Sequence, residues 1–562
     1  MPNREEIAAL PLPDRYMAIL ADAVEDILAS QDEDGSFPTR KGVKPFHPSG
    51  QTPVWPLAFL YRTEHARNPF FDDVRLRDAA IAVGDFLAGA CDENGALSYN
   101  QSGYEITGHV DQWLWHAWLE AYLLLADELG KERASLWRRR LHAGARTLTG
   151  QLTTWNALEA PFHPRSFGTS PNHAVTRAAF IYRAGEVFDE PEWCAMSDAF
   201  VTRFLKLQNA DGSWPEYDGP VICYAMVSLT GIGEYYEYTG SDVARAAIER
   251  TIPFLARAHY PDGGTIALFD GRQQHTSAGT PWAHFALSLT DEGRALCELL
   301  TRTGLAGTRY GHGGLYRLVE NFARWHAGPP GRLPMDAERF AHRFRDTMGV
   351  RRDGPWMWAL SAVARPKFEQ NPWSMDRQSL ISLHHASVGR ILNGAQCKER
   401  PEASTFVADE DPSDHIPICS SLDDAVTHAD AEYQWFRAAL SVDAVSPTQF
   451  DVHARVLENN KGRTVRFKLQ PFVSYGATIR LDGTERALGD ENWSIEGVRE
   501  VSWEGVTLAF EAPTRVWWPF RGYNSYAGDH TYPDLSSARL IVATPLTREA
   551  PAAVASVTVK PG

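Results

Sequence analysis

FLKLQNADGSWPEY, residues 204–217, ends an apolar helix on an acidic turn that contains glycine. The same order recurs in ILASQDEDGSFP from Ile27, FLAGACDENGALSY from Phe86 and FLARAHYPDGGTIA from Phe254, with a weaker copy, LTGQLTTWNA, from Leu148. The starts lie about 50 to 60 residues apart, room for two helices and their connections, and repeats of that period build stacked helical hairpins. Between the marks, AAIAVGDFLAGA (79–90), DQWLWHAWLEAYLLLADEL (111–129), AAFIYRAGEVF (178–188), ICYAMVSLTGIGEYYEY (222–238) and FALSLTDEGRALCELL (285–300) carry apolar residues at helical spacing. Several are apolar almost all round, as an inner layer of helices covered by an outer one requires. About twelve helices fit before residue 365, so about six hairpins are expected to close into a ring.

After ARPKFEQNPWSMDR (364–377) the texture changes. FRAALSVDAV, FDVHARVLE, VRFKLQPFVSYGATIRLDG, VSWEGVTLAFEAP and ARLIVATPL are short, β-branched and often alternating, separated by turns such as LENNKGR and LDGTE. Short strands at close spacing predict an antiparallel sandwich. Helices first and strands afterwards imply two segregated domains, 1–365 and 366–562.

Composition narrows the function. A formal charge of -16 on 562 residues argues against a nucleic-acid binder, which needs a basic face. It leaves an anionic substrate open, because a few arginines in a cleft dominate locally. The aromatic share, 11% with 18 Trp, suits large cores and also sugar clefts, where ring faces cover pyranoses. Cys91, Cys194, Cys223, Cys297, Cys397 and Cys419 form no CxxC or CxxH, so neither a zinc knuckle nor a disulfide scaffold is indicated. The first residues, MPNREEIAALPLPDRY, lack the apolar stretch of a signal peptide, and no run of about eighteen apolar residues occurs. A cytoplasmic location without membrane attachment is the simple expectation; a removed leader would make it periplasmic or secreted.

QDEDGSF (31–37) and QNADGSW (208–214) resemble the Q-x-x-D-G-S-W signature of several α/α toroids. A toroid followed by a β-sandwich resembles the polysaccharide lyases of the heparinase II/III, alginate lyase and chondroitin lyase type. Those enzymes carry an Asn-His pair at the start of an inner helix and a catalytic Tyr about one hairpin later. Asn172–His173 in FGTSPNHAVTRAAF and Tyr224 in GPVICYAMVSL match that pattern. The resemblance implies β-elimination from a uronic-acid-containing polysaccharide or oligosaccharide by a carbon–oxygen lyase, leaving a C4–C5 unsaturated uronate. By the same resemblance Asn172 meets the uronate carboxylate, His173 is base or neutralises charge, and Tyr224 transfers the proton. The chemistry is sound. An amide donor favours charge building on the carboxylate, while His and Tyr move protons near neutral pH. Asn172 as a helix cap and His173 as a first-turn polar residue remain an equal alternative.

Further residues are expected on the same rim as substrate contacts: His109, Asp111, Trp115, Arg177 and Trp282, with His275 and His284 as weaker candidates. Arg177 shares a helix face with His173 at i, i+4 spacing and suits a carboxylate or sulfate. For Arg177 the plain alternative is a structural ion pair, and for His109 and Asp111 it is an N-cap at Thr107 or Asp111. The resemblance implies no required cofactor. It leaves open a structural divalent metal in the β domain near His384, His385 and His415, although their spacing matches no metal motif. Two other functions stay in view. One is an α/α-barrel glycoside hydrolase acting on unsaturated uronyl oligosaccharides, with Asp111, Glu216 and Asp218 as its carboxylates. The other is a non-catalytic glycan-binding protein, with aromatic faces and no catalytic set.

Overall fold

The computed structural model describes residues 4–38, 47–101, 104–159, 162, 167–216, 221–271, 281–302, 312–364, 374–409, 414–524, 530–532 and 534–560. Helices come first: Arg4–Ala8 (α1), Leu12–Asp22 (α2), Val24–Ser30 (α3), Val54–Arg62 (α4), Val74–Ala90 (α5), Gln112–Leu125 (α6) and Gly130–Asn156 (α7). They continue with Pro171–Phe188 (α8), Pro191–Leu205 (α9), Ile222–Thr239 (α10), Asp242–Arg257 (α11), His284–Leu287 (α12), Asp291–Arg302 (α13) and His312–Ala323 (α14).

The acidic turns tie each helix to a later one. Gln208 Nε2 donates to Gly212 O at 3.1 Å and to Ala247 O of α11 at 2.9 Å. Gln31 Nε2 does the same with Gly35 O and Ala79 O of α5, both at 3.0 Å. Asp34 and Asp211 accept from the Ser two residues on, which closes each turn locally. Gly212 has φ +85°, and a Cβ there would lie 2.0 Å from Arg250 O. At Gly95 the Gln is replaced by Cys91, and the turn meets α7 through Gly144 instead, with 2.4 Å from a built Cβ to its nitrogen.

A second set of helices forms an inner layer running in one direction. Along α6 and α8, Gln112 meets Arg177, His116 meets Phe180 and Glu120 meets Arg183. Along α8 and α10, Thr176 abuts Gly231, and Tyr182 meets Tyr235 and Tyr238. Glu234 and Tyr238 meet Arg317 and Arg324 at α14, whose Tyr316 and Phe322 in turn meet Trp55 and Phe59 of α4. Trp55 touches His116, which closes the circuit back to α6.

Three local expectations differ. LTGQLTTWN is the end of the 27-residue α7, because it lacks the Asp-Gly pair that a left-handed turn needs. Residues 285–300 break between α12 and α13, where Thr290 caps the new helix by accepting from Gly293 N. A hairpin, Leu97–Gln101 (β1) with Tyr104–His109 (β2), interrupts the helical part.

Among the described residues, all strand pairings in the C-terminal part are antiparallel. Arg339–Phe344 (β3), Met348–Asp353 (β4), Trp356–Ser361 (β5), Ile381–His385 (β6) and Gly389–Leu392 (β7) form a five-stranded sheet in that order. Among the described residues, twelve strands between Phe406 and Val559 form a second sheet. Trp356 and Trp358 of β5 pack on Phe450, so one apolar core serves both sheets. Strands thus begin ahead of residue 366. RFAHRF and MGVRRD hide this because their arginines mask the alternation. By internal contacts the chain divides into one unit of residues 1–217, 223–254 and 278–332, and another of 218–222, 255–277 and 333–562.

Gly212→Ala should lower stability by at least about 2 kcal/mol, since it adds both a left-handed non-glycine residue and a backbone overlap. Gly89, with nothing within 4 Å of a built Cβ, is the control, and Gly89→Ala should change stability by less than about 1 kcal/mol. Denaturant titration of both variants checks the pair.

Candidate active site

The starts of α6, α8 and α10 carry the candidate residues. Asp111 is the N-cap of α6 and accepts from Leu114 N at 2.8 Å. Ser170 takes the cap position of α8 and Pro171 its first turn, so Asn172 lies inside the helix. Asn172 is fully buried, and its Nδ2 donates to Glu216 Oε1 at 2.9 Å.

His173 stays half-buried. Its Nδ1 is 3.4 Å from Gln112 Nε2, and its ring meets Trp113 edge-on at 4.5 Å. Arg177, one turn on, donates from Nη2 to Gln112 Oε1 at 3.1 Å and from Nη1 to Gln151. The Gln112 amide therefore bridges His173 and Arg177. Burial lowers the Arg177 guanidinium to about 10, against the pull of Asp111, and it keeps its charge at neutral pH.

His109 Nε2 lies 3.8 Å from Asp111 Oδ2, and its ring meets Tyr99 of β1, which in turn meets His47. The unexpected hairpin is what brings Tyr99 there. Trp282 meets Trp113 edge-on at 6.2 Å and carries the Arg317 guanidinium 4.1 Å from its ring centre. Tyr224 is in the first turn of α10. The α8–α10 contacts hold a constant offset of about 55 residues, which brings Tyr224 level with the residues just before Asn172.

Two of the residues named as rim candidates lie inside the helical layer. Trp115 is fully buried, packed on Trp118 and close against Gly144 of α7, so its ring serves the wall between two helices. His284 is likewise buried, its Nδ1 2.7 Å from Tyr16 Oη. His275 and Asp218 lie outside the described residues. Asp111 and Glu216, the remaining hydrolase carboxylates, are both buried and engaged, by Leu114 N and by Asn172.

The expectation of a metal in the β domain is also corrected. His384 stacks on Tyr260, His385 Nε2 reaches Pro447 O at 3.0 Å, and His415 faces Asp376 at 3.6 Å, so the three have separate partners. Among the described residues, the histidine and carboxylates whose ligand atoms lie within 4.8 Å of one another are His116, Glu234 and Glu320, in the helical part.

These three belong to a buried charge network that also holds Glu120, Arg183, Arg317 and Arg324. Burial lowers His116 to about 4. It raises Glu320 to about 7, against Arg317 and with the help of Glu234. Sequence reading passed over the network. Its signal was there, in single charged residues within helices otherwise apolar all round.

No protein-family model matches the sequence, and no curated protein does. Solved structures are similar in fold. A Paenibacillus xanthan lyase is 11% identical with a TM-score of 0.57, over 98% of this chain and 57% of that one. The Streptomyces coelicolor A3 chondroitin AC lyase in complex with chondroitin sulphate is 12% identical with a TM-score of 0.57, over 97% of this chain and 79% of its own. A heparinase III is 12% identical with a TM-score of 0.52, over 94% and 80%. This chain thus spans little more than half the length of the xanthan lyase. At these identities the likeness is one of fold: an N-terminal helical region followed by antiparallel sheet.

Burial pushes the Asp111 carboxyl up, but the His109 ring and the Leu114 N–H outweigh it and hold the group below the ordinary aspartate range. A depressed carboxyl contributes stability that is present above its unfolded value and lost as pH falls through the folded one. Asp111→Asn should keep the cap and remove this part of the acid dependence, whereas Asp111→Ala should also cost about 1 kcal/mol at neutral pH. Thermal midpoints of both variants at about pH 6 and about pH 3 test the assignment.

Proposed function

We propose that this protein is a polysaccharide lyase that cleaves a uronic-acid-containing chain by β-elimination, its helices forming an (α/α) toroid and its sheets a β-sandwich. The observation that carries the reading is the gathering of a half-exposed imidazole, a buried guanidinium and two tryptophan edges near the starts of α6 and α8, with a tyrosine in the first turn of α10. Helix starts favour anions, and a uronate is one. The fold shared with lyases of xanthan and chondroitin supports the same reaction class.

In this reading the uronate carboxylate enters at the start of α8. Asn172 already donates to a carboxylate, that of Glu216, and the proposed role asks the same of it. Arg177 supplies positive charge behind that amide, and Trp282 and Trp113 offer ring edges to the sugar. His173 or Tyr224 removes the C5 proton. The C4–O bond breaks, its electron pair leaves with the oxygen, and that oxygen takes up a proton, which leaves a C4–C5 double bond. Donors aimed at the carboxylate act where negative charge grows in the transition state. The partner is an acidic polysaccharide or oligosaccharide.

Incubation with alginate, polygalacturonate, chondroitin sulphate, heparan sulphate and depolymerised xanthan should yield, from at least one, a product with the ultraviolet absorbance of an unsaturated uronate. Tyr224→Phe should keep the fold and lose about two to four orders of magnitude in turnover. Asn172→Ala should lose roughly two to three. Full activity in a folded Tyr224→Phe protein removes that residue from the mechanism, and no absorbing product from any polymer sinks the lyase reading.

A further inference from the structure

The inner helices bring together donor atoms that the proposed reaction does not use. His116 Nδ1 on α6 lies 3.5 Å from Glu234 Oε1 on α10 and 3.6 Å from Glu320 Oε1 on α14. All three residues are at most 2% exposed. Four-coordinate ions hold nitrogen and oxygen ligands at about 2.0–2.2 Å, which places neighbouring donors about 3.3–3.6 Å apart. The separations of 3.5 Å and 3.6 Å match that edge length.

The outer contacts of the same side chains have the form of a supporting shell. Arg317 Nη1 donates to Glu320 Oε2 at 2.8 Å and fixes that carboxylate, while Glu320 Oε1 is buried with no hydrogen-bond partner. His116 Nε2 lies 3.0 Å from Tyr238 Oη, which Arg324 Nη2 holds at 2.9 Å. With the ring proton on Nε2, donated to Tyr238, Nδ1 turns its lone pair toward two carboxylate oxygens. Three acceptors facing one another away from water need a shared proton or a cation between them. Metal-binding histidines and carboxylates are held in this way through their other atoms.

We propose that His116 Nδ1, Glu234 Oε1 and Glu320 Oε1 form a site for one divalent transition-metal ion, Zn²⁺ in preference, that ties α6, α10 and α14 together. A solvent oxygen completes a four-coordinate shell. The donor set of one imidazole and two carboxylates suits Zn²⁺, and three ligands are too few for Ca²⁺, which takes six to eight oxygens. Charge does not forbid it. Arg183, Arg317 and Arg324 balance Glu120, Glu234 and Glu320, and an ion carrying a hydroxide adds one positive charge, the amount a proton shared by the two facing carboxylates adds. The site does not depend on the lyase reading, and none of its ligands is placed in that chemistry.

The full-length protein, stripped with a chelator and desalted, is loaded with ZnCl₂ at about pH 8 and desalted again. About one Zn²⁺ per chain should remain, with a raised thermal midpoint. Glu320→Gln and His116→Gln, shown to be folded by circular dichroism, should bind at least about 100-fold more weakly. CoCl₂ in place of zinc should give the strong visible bands of a four-coordinate ion, a readout on the wild-type protein that holds if a variant misfolds. Retention of no zinc by the wild type, equal retention by a folded Glu320→Gln, or the weak spectrum of six-coordinate cobalt would each overturn the site.

Discussion

The helical part depends on a backbone contact at the acidic turns. At Gly212 and Gly35 the chain passes so close to the next outer helix that a Cβ would meet a carbonyl, at 2.0 Å and 2.4 Å. The glutamine amide then joins the turn to that helix by donating to a carbonyl of each. Such a contact sets the spacing of α3 from α5 and of α9 from α11. The helices threaded between them are left to line the interior. Trp214, stacked on Phe204 and bonded to Thr251 Oγ1, seals one such turn with an apolar lid.

An inner layer fixed from outside has two consequences. Its helices run in one direction, so their starts gather at one end, and that end holds His109, Asp111, Gln112, Asn172, His173 and Tyr224. Helix starts leave backbone N–H groups unpaired and carry partial positive charge, which draws side-chain acceptors and anions there. The same geometry brings mid-helix residues together deep in the layer, where Glu120, Glu234, Glu320 and three arginines meet at low exposure. Burying so many charges stabilises little by itself, because desolvation offsets the attraction. A network retained against that cost points to a role for its geometry.

How much of this was legible in the sequence varies with how local the cause is. The turn sequences, the helical segments and the strand-rich end could be read directly, since Gly at positive φ, Asp accepting from the next Ser and period-two apolar residues act over a few positions. Asp111 as an N-cap is of this kind, as is the shared face of His173 and Arg177. The hairpin at β1 and β2 escaped notice because LSYNQSGYEITGH is short and its partner is only itself. LTGQLTTWN was misread as a helix end with a turn inside it, because its apolar spacing resembles the other copies even though it lacks their Asp-Gly pair.

Sequence alone therefore determined the succession of helices and strands, the sites where the chain turns and the residue types at the helix starts. Only the tertiary structure decided which face of each helix points inward. For a helix apolar on every side, as α6 is, neighbours choose the face: they put His116 into the charge network and Trp115 into the wall beside α7. His116, Glu234 and Glu320 each stand out in an apolar helix, but they span about two hundred residues of chain and nothing local says that the three meet. It arises because parallel helices of fixed spacing bring distant positions to the same height.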